Sequence, residues 1–181
     1  IESFKPISEE VVVCMARGTA KADKTEEIAL SLGARVIHYK NKKLDWPHVD
    51  DFAAARNTAL EACKNEWSIW VDADDVMAED GEKVLEGGLE QAEKVGAEIV
   101  CFRYLVENAG LNPIREMALR KGCGRWRNRV HEALEPNDRN KLLAIDKIFR
   151  IHRPITSKAD SADRNHRILC LLYTSPSPRD A

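Results

Sequence analysis

Three carboxylates fall within four positions at the end of an apolar, β-prone run, Trp67-Ser-Ile-Trp-Val-Asp72-Ala-Asp74-Asp75. Like charges this close are tolerated beside a bound cation, so the pattern predicts a buried strand whose carboxyl end delivers acids into a crevice. Two acids separated by one residue can share Mg²⁺ or Mn²⁺, hard ions that take carboxylate and phosphate oxygens together. Residue chemistry alone leaves a second reading open: a helix N-cap with first-turn acids, which needs only one or two of the three.

The elements that must position these acids follow from periodicity. Val11-Val12-Val13 marks a short strand over residues 10–14. A helix is expected over about 23–32, closed by Gly33, and residues 34–39 alternate as a strand. A second helix starting at Asp50 or Asp51 places Phe52, Ala55, Ala59, Leu60 and Cys63 at helical spacing, and the Trp67 strand comes next. Leu85, Leu89, Ala92 and Val95 define a helix over 79–95 ending at Gly96, followed by a strand over 98–106. The order β-α-β-α-β-α-β implies an α/β fold with a mostly parallel sheet flanked by helices, binding ligands at the carboxyl ends of its strands. Residues 107–155 read as loop-rich, with weak strand signals near 116–120 and 143–151.

At 181 residues and 44% hydrophobic, the chain suits one well-buried domain. Its 28 Lys and Arg nearly balance 30 Asp and Glu, so the overall field gives no steering toward nucleic acid or an anionic membrane. The five cysteines are scattered without a Cys-x-x-Cys pair, which argues against a disulfide framework or structural zinc and for a reducing cytoplasm. No apolar run approaches the roughly 18 residues of a membrane span, and no signal-type segment opens the chain.

Asp51-Phe-Ala-Ala-Ala-Arg56-Asn57, followed ten residues on by the Trp67 to Asp75 run, resembles the family 2 glycosyltransferases of GT-A fold, Rossmann-like enzymes that transfer a sugar from a nucleotide donor. Val11-Val12-Val13, Asp23-Lys24-Thr25 and Gly33-Ala34-Arg35-Val36 fall in family order. Gly124-Arg-Trp-Arg-Asn-Arg-Val-His131-Glu132 resembles the acceptor-side segment of the branch with bacterial peptide and TPR-linked glycosyltransferases. The resemblance covers residues 1–170 as one partial domain.

That resemblance implies a hexosyltransferase-type activity with a UDP-sugar donor, a divalent metal, an inverting outcome, and a glycan, peptide or lipid-linked acceptor. It assigns Asp72 to the nucleotide side and to the metal, Asp74 to the metal, and leaves Asp75 to support either. Arg56 and Asn57 match family residues near the nucleotide, where a guanidinium suits a base edge or a phosphate; a solvated helix residue is the alternative for Arg56. Direct displacement at the anomeric carbon needs a carboxylate opposite the leaving diphosphate, which makes Glu132 the candidate base, with His131 as its alternative or as a loop-orienting residue. His152 lies where many GT-A enzymes return a late histidine to the metal, while a polar loop histidine is the plainer reading and stays ahead of it. Trp126 could stack on a sugar or belong to the core.

Relatives carry Asp-Thr-Gly-Ser-Thr-Asp after the second strand, whereas this chain has Cys14-Met-Ala-Arg-Gly-Thr-Ala-Lys-Ala22 and no carboxylate before Asp23. Either the donor base is read differently here or the stretch carries a local sequence error. The first family strand is expected upstream of residue 1, and residues 171–181 read as a non-native tail, so the chain alone is expected to have little activity. A nucleotidyltransferase-like enzyme and a noncatalytic sugar-nucleotide-binding module are the competing readings.

Overall fold

The computed structural model describes residues 1–107, 109–153, 165, 167 and 168. The expected tail at 171–181 lies outside them. Strands β1 (Val12–Ala16) and β2 (Arg35–Tyr39) run parallel, with α1 (Thr25–Ser31) between them and Cys14 in register with Ile37. The chain then enters α2 (Phe52–Ala62). Of the two acids that could start α2, the cap is Asp51, whose side chain accepts from Ala54 N–H at 2.8 Å. Asp50 is buried instead and ties down the preceding loop, accepting from the Tyr39 hydroxyl at 2.7 Å and from Lys42 N–H at 2.8 Å. Burial, and then this bond to Asp50, push the Tyr39 phenol up from its ordinary value.

The main sheet has five strands in the order β3 (Trp67–Ile69), β6 (Ile114–Arg120), β5 (Ile99–Val106), β9 (Leu142–His152), β4 (Asp75–Met77). The α/β class holds, but the sheet is mixed: β5 and β9 are parallel, while β3–β6, β5–β6 and β4–β9 are antiparallel. The connection from β5 to β6 is too short for a crossover helix, and a short link joins antiparallel neighbours. The stretch read as loop-rich therefore supplies β6 and β9, together with the hairpin β7 (Gly124–Arg127) and β8 (Ala133–Pro136).

Helix α3 (Gly81–Val95) closes on Gly96 at φ 70, a left-handed position that glycine adopts without strain. It lays Leu85 and Ala92 on a core of Val100, Phe102, Met117 and Phe149. Contact is close enough that a Cβ on Gly88 would lie 2.6 Å from the Phe102 ring. A second core of Ala53, Ile99, Leu119, Cys123 and Trp126 fastens α2 to β7 and to the sheet edge. Burying each of these larger side chains contributes about 1.5–3 kcal/mol. Burial also pushes the Cys101 and Cys123 thiols up to about 11, which keeps them unreactive. Among the described residues, no helix is long and apolar enough to cross a membrane.

Candidate active site

The acid cluster occupies the turn that leaves β3. Asp75 N–H donates to the Asp72 carbonyl at 3.0 Å, and Asp72 N–H donates back to Asp75 Oδ2 at 2.8 Å. This reciprocal pair sends the carboxylates to different depths, with side-chain exposures of 43% for Asp72, 26% for Asp74 and 1% for Asp75. Asp72 and Asp74 can meet a ligand directly. Asp75 begins β4, where the antiparallel register sets it opposite His152 on β9.

Burying the Asp75 carboxylate demands a counter-charge, and Arg150 supplies it from the same strand as His152. Arg150 Nη1 lies 3.0 Å from Asp75 Oδ2 and donates to the Trp70 carbonyl at 2.7 Å. Burial pulls Arg150 below its ordinary value, with Asp75 and Asp72 opposing it, and a guanidinium remains charged in such a setting. His152 Nδ1 is 2.9 Å from Asp75 Oδ1 and 3.5 Å from Asp74 Oδ1.

Above this pair, cations and rings alternate. The Arg150 guanidinium carbon sits 4.1 Å from the Trp70 ring centroid, and that of Arg56 sits 4.2 Å from Trp70 and 5.2 Å from Trp126. The two indoles meet edge to face at 5.2 Å. Packed between aromatic faces, Arg56 is held rather than solvated. Its Nη2 donates to Asp72 Oδ1 at 2.9 Å and its Nε to Glu132 Oε1 at 2.8 Å, so one guanidinium joins the strand-end acid to a carboxylate 76 residues from Arg56 itself. Trp126 is a core residue, 2% exposed.

Asn57 is one position further along α2 and turns inward. Its carboxamide donates to the Trp126 carbonyl at 3.0 Å and accepts from Trp126 N–H at 2.9 Å, which clamps β7 onto the helix. Removing it orphans two buried main-chain groups at about 1–3 kcal/mol each, so Asn57→Ala is expected to cost about 2–6 kcal/mol in a urea melt followed by tryptophan fluorescence. Between β7 and β8, Asn128 at φ 70 and His131 at φ 54 reverse the chain, and the Arg129 carbonyl accepts from Phe52 N–H at 3.0 Å. Glu132 is thereby brought to Arg56 with its side chain 16% exposed, while His131 stays at the surface.

Asp72, Asp75 and His152 each present a ligand-type atom within 4.8 Å of the others, and the partly exposed Asp74 adds a carboxylate oxygen 3.5 Å from His152 Nδ1. Carboxylates with one imidazole suit Mn²⁺ or Mg²⁺, so the residues present fit a divalent ion. Sequence reasoning missed Arg150, because an arginine inside Ile148-Phe-Arg-Ile151 carries no mark of its buried partner. Trp70 was missed as a link too, although its place two residues before Asp72 was a usable signal.

The model of glycosyl transferase family 2 matches residues 17–152. A TPR repeat-containing protein of Synechococcus elongatus is 33% identical over 93 residues, 51% of this chain and 21% of that protein. TarS from S. aureus, residues 1–349 with UDP-GlcNAc, superposes with a TM-score of 0.58 at 13% identity over 90% of this chain and 56% of that one. Glucosyl-3-phosphoglycerate synthase from Mycobacterium tuberculosis, with Mn²⁺ and UDP-glucose, gives 0.56 at 18% identity over 98% and 74%. The chain thus spans about a fifth of the curated relative and just over half of TarS residues 1–349.

Proposed function

The chain belongs to glycosyl transferase family 2, and from that membership we propose that it transfers a hexose-type sugar from a UDP-sugar to an acceptor hydroxyl or thiol with inversion, using a divalent metal. One observation carries the proposal: Arg56 bonds Asp72 and Glu132 at once, so the acid read as donor-side and the carboxylate read as acceptor-side share a single guanidinium. UDP-sugars in the TarS and mycobacterial synthase structures, and Mn²⁺ in the latter, support the choice of donor and ion.

In this reading Asp72 faces the nucleotide, and Asp72, Asp74 and His152 hold the ion. A bound Mn²⁺ or Mg²⁺ would neutralise charge on the departing diphosphate. Arg56, fixed between Trp70 and Trp126, offers a preorganised cation to the donor phosphates. Glu132 takes the proton from the acceptor nucleophile onto a carboxylate oxygen as that nucleophile attacks the anomeric carbon. Asn57 acts at one remove, by holding the strand from which the Glu132 turn departs.

The test is release of UDP by the purified protein across a panel of UDP-sugars and acceptors, with and without chelator, for the wild type and Asp74→Ala. Turnover should fall to background with chelator and in the variant. Turnover indifferent to both would sink the metal-dependent mechanism, and donor binding without turnover for every acceptor would identify a sugar-nucleotide-binding module instead.

A further inference from the structure

Asp75 and Arg150 have no place in the transfer itself, yet they are the most deeply buried charges of the site. We infer that they are positioning residues for His152: Asp75 accepts the Nδ1 proton of the imidazole and so leaves Nε2 as the nitrogen that meets the divalent ion, while Arg150 fixes Asp75 in that task. The inference rests on the metal-dependent reading above and specifies how its histidine is presented.

The bonding of Asp75 leads to this assignment. Its Oδ2 is taken by Asp72 N–H at 2.8 Å and by Arg150 Nη1 at 3.0 Å, and its Oδ1 faces His152 Nδ1 at 2.9 Å. With Oδ2 already taken by two donors and the permanent Arg150 cation beside it, Asp75 meets the imidazole as a hydrogen-bond acceptor. The hydrogen between Asp75 and His152 therefore belongs to the imidazole, and a ring with Nδ1–H offers its lone pair at Nε2. Carboxylate–histidine–metal arrangements of this kind fix the tautomer and ring orientation of a ligand.

Geometry around the ring agrees. Tyr104 packs edge to face on His152 at 6.4 Å, and direct register between Asp75 and His152 sets the ring beside the carboxylate without a loop. Arg150 reaches Asp75 from two residues before His152 on β9, so one strand carries both the ligand and the cation that anchors its orienter. The proximity of Asp75 to Asp72 and His152 does not make it a third ligand, because a metal would have to displace partners that its oxygens already hold.

The deciding experiment is a long-range proton–nitrogen correlation spectrum of the metal-free chain labelled with ¹⁵N-histidine, recorded in alkaline buffer and assigned with His152→Gln. The expected result is the Nδ1–H tautomer at His152; an Nε2–H tautomer overturns the inference whatever the enzyme does. Mn²⁺ affinity, read by electron paramagnetic resonance, is then compared for wild type and Arg150→Lys. Replacing the long planar guanidinium by a shorter ammonium, which loses the Nη1 reach to Asp75, should weaken Mn²⁺ by about 10–100-fold, the usual effect of disturbing an orienting partner. Unchanged affinity in Arg150→Lys would remove Arg150 from the scheme. His152→Ala tests the parent reading separately: Mn²⁺ bound as tightly without the imidazole would refute His152 as a ligand, whereas the wild-type spectrum judges the Asp75 contact by itself.

Discussion

Glu132→Gln is expected to lower kcat by about 10²–10⁴-fold, the usual contribution of a positioned general base, while leaving UDP-sugar affinity unchanged. The substitution keeps side-chain shape, and the amide oxygen can still accept from Arg56 Nε, which now bonds Glu132 Oε1 at 2.8 Å. The stack of Trp70, Arg56 and Trp126 and the Arg56 contact to Asp72 therefore persist. What is lost is the ability to receive a proton. Initial rates under saturating donor, with calorimetric titration of UDP, separate the two terms. A higher KM for acceptor at constant kcat would make Glu132 a binding group, and an equal loss in His131→Gln would move the base to the exposed imidazole.

The sequence carried the acid cluster openly because its signal is local: an apolar run, then carboxylates at residues 72, 74 and 75. Helices α2 and α3 were equally legible, since apolar residues at helical spacing lie within one short window, although α2 buries Ala53, Ala55 and Asn57 rather than the full expected stripe and Val95 of α3 is exposed. Hairpin β7–β8 was not, because Gly124-Arg-Trp-Arg127 offers one inward apolar residue in four. Strand β9 gave only a weak signal over 143–151, and within it, at Asp146-Lys147, the pairing with β5 shifts register around Arg103. Asp50 and Asp51 were interchangeable as caps on paper; folding separates them because only Asp50 is reached by the Tyr39 hydroxyl. Contacts between distant residues, such as Arg56 with Glu132 or Arg150 with Asp75, leave no periodic trace at all. Family likeness brought Glu132 into view, and nothing short of the fold brought Arg150.

Arg150→Met is expected to destabilise the fold by about 3–5 kcal/mol, because it strands the Asp75 carboxylate in a dry site. At this chain length that corresponds to a melting temperature lower by about 6–20 °C. The wild-type pair has both side chains almost wholly inaccessible, at 2% and 1%, so water cannot take over the missing contact. Asp75→Leu should cost a similar amount from the other side, leaving the guanidinium, among the described residues, with the Trp70 carbonyl and the faces of Trp70 and Tyr104. Combining the two changes should cost less than either alone. Replacing a buried ion pair by apolar groups of like volume removes both desolvation penalties together, and among the described residues Arg150 Nε is a buried donor without a partner even in the wild type. Urea melts of the four proteins close the cycle. A coupling of several kcal/mol identifies the pair as the buried anchor of the acid turn. Single-variant costs below about 1 kcal/mol, the scale of a solvated surface pair, would mean that Asp75 is accessible to water and free to bind an ion directly.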